Sequence, residues 1–64
     1  MQAGYQLQDG GRVDVATVKA TRRVRVDLTG LPAIDKDGEG VFALLTLSEA
    51  RAISSALMGA AAEA

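Results

Sequence analysis

Cysteine, histidine and tryptophan are all missing from this chain, and proline occurs once. Without cysteine there is no disulfide staple and no thiolate site for a metal. Without histidine the common zinc sites and general-base catalysis by imidazole are excluded. Tyr5 and Phe42 are the only aromatic rings, so no row of rings is available on which successive bases of a nucleic acid stack. The sequence has no run of about 18 apolar residues, which excludes a transmembrane helix. The first residues do not pair a basic region with an apolar one, so no secretory signal is expected and the expectation is a cytoplasmic protein. No cofactor or metal site is expected either.

What remains is 64 residues with a formal net charge of -1. That length allows one small domain, 1–64, and chains near it bury only about 60% of their unfolded surface. A core of that size without staples favours self-association, most simply as a twofold homodimer. The charge is unevenly spread. Arg12, Lys19, Arg22, Arg23 and Arg25 stand against Asp14 alone, whereas the chain from Asp27 onward is acidic.

The longest periodic stretch lies at the C-terminal end. Thr46 and Glu49 have the spacing of a capping box, in which each side chain satisfies the other residue's backbone N–H. Ala50, Ile53, Leu57 and Ala60 or Ala61 then recur every three or four residues, with Met58 and Ala56 widening the stripe. This predicts a helix over about 47–62. Gly59 interrupts it and costs about 1 kcal/mol relative to alanine unless another backbone approaches there.

Ahead of the helix the period is two. Residues 5–8 alternate, and Asp9-Gly10-Gly11 is a turn signal because both glycines tolerate positive φ. Met1 to Gly4 is expected to be loose. A strand over 12–18 carries Val13 and Val15 on one side, with Val18 out of phase; a bulge near Thr17, or a mixed face, accounts for that. Lys19-Ala20-Thr21 is read as a hairpin turn, although an unbroken bent strand is the alternative. Residues 22–29 give the clearest strand, with Val24, Val26 and Leu28 on one side and Arg23, Arg25 and Asp27 on the other. Gly30-Leu31-Pro32 ends it, residues 33–40 form a polar loop, and 41–45 makes a last, apolar strand. The fold class is therefore α+β: a small antiparallel three- or four-stranded sheet packed against one C-terminal helix.

Motifs for chemistry are weak. Asp35-Lys36-Asp37-Gly38-Glu39-Gly40 fails as an EF-hand loop, because Ala33 and Leu44 would fall at its first and last ligand positions. The glycines match neither a P-loop nor a dinucleotide fingerprint. Ser48, Ser54 and Ser55 have no histidine to activate them. Asp14 and Asp27 sit among arginines, which explains them as ion-pair partners rather than as a catalytic pair. No catalytic residue is assigned and the chain is read as a non-enzyme.

Two candidate surfaces follow. The basic group Arg12, Lys19, Arg22, Arg23 and Arg25 suits phosphates or an acidic protein, against the plainer reading of a solvated strand face. Phe42, Leu44, Leu57 and Met58 form a candidate oligomer or partner interface, because residues 41–45 are apolar on both strand faces and one helix covers only one of them. The functional expectation is a small protein-interaction or regulatory protein acting as a homodimer, of the kind found among bacterial or phage accessory proteins. A nucleic-acid-binding protein using residues 12–25 and a structural subunit of a larger assembly are the alternatives.

Overall fold

The computed structural model describes residues 1–32 and 39–64. Four strands, β1 (Gln2–Gln6), β2 (Arg12–Val18), β3 (Arg23–Thr29) and β4 (Val41–Leu45), form one antiparallel sheet in the order β1-β2-β3-β4, followed by helix α1 (Leu47–Glu63). This is the α+β architecture that the two periodicities predict.

The registers separate two chemically different faces. Val15 stands opposite Ala3 and Val26, Val13 opposite Tyr5 and Leu28, and Val24 and Val26 opposite Leu45 and Ala43. Because side chains alternate along a strand, these residues share the face toward α1. The opposite face carries Arg12, Asp14, Ala16 and Val18 of β2, Arg23, Arg25, Asp27 and Thr29 of β3, and Phe42 and Leu44 of β4.

One local reading needs correction and two open alternatives are resolved. Met1 to Gly4 is not loose, since β1 begins at Gln2 and pairs along β2 as far as Ala16, and the Thr17 N–H donates to the Met1 carbonyl at 3.0 Å. Small and polar residues there hide the strand, which Arg12 to Ala16 of β2 then stabilise by pairing. Residues 7 and 8 leave the strand instead: the Gly10 N–H donates to the Leu7 carbonyl at 3.2 Å and the Leu7 N–H to the Gly11 carbonyl at 2.7 Å. Gly10 takes φ 98° in this turn, and Gly11 is buried beneath Leu7 and Leu31, where a Cβ would collide with the Leu31 side chain. For Val18 the mixed face holds and no bulge forms. The β2–β3 register runs unbroken from Arg12 to Val18, so Thr17 takes the apolar side and Val18 the polar one, opposite Arg23. The hairpin over Lys19–Thr21 forms as read, not the unbroken strand: β2 and β3 pair antiparallel up to Val18 and Arg23, joined by one turn of 3₁₀ helix that Arg22 closes in the left-handed region at φ 55° and ψ 50°. The loop over residues 33–38 lies outside the described residues.

The capping box forms as the spacing predicts. The Glu49 N–H donates to Thr46 Oγ1 at 3.1 Å, and the Thr46 N–H donates to Glu49 Oε1 at 2.9 Å. Leu45 leads into this cap without a loop, so α1 starts at the edge of the sheet and touches β3 and β4. Only Leu47 and Ala50 of the helix are even half-buried; every residue from Arg51 onward is exposed.

The result is a two-layer fold with an unfinished core. Among the described residues no hydrophobic side chain is buried. Val13 and Val15 of β2 and Val24 and Val26 of β3 point inward as the alternation requires, yet each remains half-exposed. The radius of gyration is 12.8 Å, against about 11 Å for a compact chain of this length.

Candidate functional site

Three surfaces of the molecule bear on function. The first is the space between α1 and the sheet. It is an apolar cleft of about 590 Å³, walled by Tyr5, Val13, Val15, Val24, Val26 and Leu45 below and by Ala50, Ile53, Ser54, Leu57 and Met58 above. The helical wall follows from spacing alone: residues 50, 53, 54 and 57 recur at three and four and fall on one stripe. Leu57 and Met58 are 67% and 72% exposed, so the stripe faces the sheet without closing on it. Gly59 lies about 200° around the helix from Leu57, and a Cβ there would meet nothing within 4 Å.

The second surface is the polar sheet face. Arg12 Nε donates to both oxygens of Asp14 at 3.1 and 3.2 Å. Gly4 is opposite Asp14, and a Cβ on it would collide with this pair, so the glycine is what lets the Arg12 guanidinium lie across β1. Arg25 grips Asp27 in a fork, with Nε at 3.0 and 3.2 Å from its two oxygens and Nη2 at 3.0 Å from Oδ1. The hydrogen bonds it donates to Asp27, with that carboxylate's charge, hold the Arg25 guanidinium above its ordinary pKa. The same guanidinium lies 4.1 Å from the centre of the Phe42 ring, a cation–π contact. Asp14 and Asp27 face each other across the β2–β3 ladder, and each is matched by an arginine two residues away on its own strand. The carboxylates are thus ion-pair partners, and their exposure limits each pair to about 1 kcal/mol or less.

This pairing divides the basic group. Arg12 and Arg25 are engaged by Asp14 and Asp27. Lys19, Arg22 and Arg23 gather at the β2–β3 connection, at the far end of β2 from Arg12, roughly 20 Å along the strand. The five cations therefore do not form one patch. Arg23 has a further effect: together with the Thr46 backbone N–H, the main cause, and the Thr46 hydroxyl, its charge holds the Glu49 carboxyl below the ordinary range.

The third surface is the β4 edge. β4 is the last strand of the sheet, so one side of its backbone faces away from β3. Val41, Phe42 and Leu44 are 42%, 58% and 51% exposed. The four side chains grouped as one interface thus belong to two places. Phe42 and Leu44 sit on the polar sheet face beside Arg25, whereas Leu57 and Met58 look into the cleft on the opposite side. Tyr5 also lines the cleft; its alternation with Leu7 predicts a strand, but only the pairing with Val13 turns it toward α1.

Among the described residues there is no cluster of acidic side chains able to hold a metal ion, and no helix is long and apolar enough to cross a membrane. The acidic loop Asp35 to Gly38 lies outside the described residues. No protein-family model, curated protein or solved structure matches the chain.

Proposed function

We propose that this chain is a non-enzymatic interaction or regulatory protein whose working form is a homodimer. The observation that carries the reading is the unfinished core: no hydrophobic side chain is buried among the described residues, while eleven residues line an open, mostly apolar cleft. Apolar burial is the main favourable term in folding, at roughly 25 cal/mol per Å², and a layer left half-open forgoes much of it. The accessible surface is 5098 Å², whereas a folded monomer of this mass exposes about 3,900 Å². The surplus of about 1,200 Å² is of the size that a specific interface removes, about 800 Å² from each partner.

The absence of imidazole and thiol from the sequence, and the ion pairing of Asp14 and Asp27, support the non-enzymatic part. The division of the basic group argues against nucleic acid as the main partner. Co-expression of two differently tagged copies tests the reading. Recovery of both tags on one affinity column, unchanged by nuclease and by 1 M salt, is the expected result; recovery of a single tag, or of nucleic acid in place of the second copy, contradicts it.

A further inference from the structure

We propose that two copies join by antiparallel pairing of β4 with β4, centred on Ala43, so that two four-stranded sheets become one sheet of eight strands. This rests on the homodimer reading above and adds the surface that makes it.

The two edges of the sheet differ in kind. β1 presents Gln2, Gly4 and Gln6 among its five residues. β4 reads Val-Phe-Ala-Leu-Leu, with no charge, proline or glycine, and its pairing with β3 runs through five consecutive residues without a bulge. Edge strands of lone sheets are guarded by charges, proline, bulges or covering elements, because unpaired backbone groups recruit other strands. β4 carries none of the first three guards, and four of its five side chains are exposed.

A second copy of the same strand suits this edge. Centring the twofold on Ala43 sets Val41 opposite the partner's Leu45 and Phe42 opposite the partner's Leu44. The closest pair is then alanine on alanine, which crowds nothing. On the polar face, Phe42, Leu44 and their two counterparts group into one apolar cluster between the two Arg25–Asp27 pairs. That explains why two large apolar side chains interrupt a charged face. No like charges are brought together, since β4 has none. The twofold axis of an antiparallel pair is perpendicular to the sheet, so both helices lie on the same side and the two apolar faces become continuous. Such an interface is isologous and closed: each β4 edge satisfies the other, and pairing stops at two copies.

The lack of native cysteine makes the test direct. Residues directly opposite in an antiparallel pair have Cα atoms about 4.5–5.5 Å apart, inside the range a disulfide spans, about 4.4–6.8 Å. Two copies of Leu45 would be roughly 13 Å apart in the same register. The A43C protein is therefore expected to run as a covalent dimer after mild oxidation, and the L45C protein as a monomer. As a second readout on the unsubstituted protein, amide exchange should be slowed at every residue of β4. If the protein is dimeric but A43C fails to cross-link, or L45C cross-links as well, or alternate β4 amides exchange freely, the edge pairing is wrong and the homodimer reading stands. If the protein is monomeric in both assays, the two fall together.

Discussion

Replacing Gly59 with alanine puts a number on the exposed side of α1. Gly59 lies inside α1, which continues past it to Glu63, and its Cβ position is open space. No packing term enters, so the change is one of helix propensity, about 0.8–1.0 kcal/mol in favour of alanine. Unfolding entropy near 2.1 cal/mol/K per residue gives about 0.13 kcal/mol/K for a chain of this length, so G59A should raise Tm by about 7 °C. The assay is thermal unfolding followed by far-ultraviolet circular dichroism, at fixed protein concentration because dimerisation makes Tm depend on it. The oligomeric mass should not change, because Gly59 faces away from both the cleft and β4. A fall in Tm, or loss of the dimer, would show that a backbone packs against this side of the helix and would refute the reasoning.

Other substitutions test neighbouring links. Thr46→Ala removes one half of the capping box and should cost about 1 kcal/mol, with the loss seen first in the helical signal; an unchanged melting curve would mean that the cap does not support α1. The Glu49 carboxyl is held low in the folded state, so the stability it contributes is complete above its unfolded pKa of about 4.3 and is lost as pH falls through the folded value. E49Q should therefore blunt the acid loss of helicity below about pH 4.3, and an acid transition identical to that of the unsubstituted protein would contradict this. Arg22→Gly relieves a left-handed conformation that costs a side-chain-bearing residue roughly 1 kcal/mol, so the variant should be more stable by up to about that amount in urea titration. Leu44→Asp places a charge in the proposed apolar cluster and should weaken self-association by at least about tenfold while leaving a helical spectrum; retention of the original mass at low concentration would remove Leu44 from the interface.

Some of this molecule is written plainly in its residues. The alternation of residues 22–29, the apolar run 41–45 and the Thr46–Glu49 spacing are local signals for strands and a cap, and the helix begins where the cap says it must. β1 is less legible, because Gln2, Ala3 and Gly4 carry no strand signal and become a strand only by pairing with β2. Arg22 gives no hint of its left-handed backbone, which is imposed by the strands on either side of the 3₁₀ turn. For the candidate surfaces, period-two reasoning correctly gives β4 two apolar sides. It cannot say which side the helix takes, and so it merges Phe42 and Leu44 with Leu57 and Met58, which the fold separates by the thickness of the sheet. The basic group is likewise close in sequence, and it divides because β2 carries Arg12 away from the turn and because Asp14 and Asp27 each claim an arginine.

Sedimentation equilibrium of the unsubstituted protein is the most direct test of the claim that one chain does not complete its own core. A mass near twice the 6.6 kDa of a single chain is expected, with dissociation on dilution accompanied by loss of cooperative unfolding. A well-folded species of single-chain mass, melting cooperatively and independently of concentration, would contradict it.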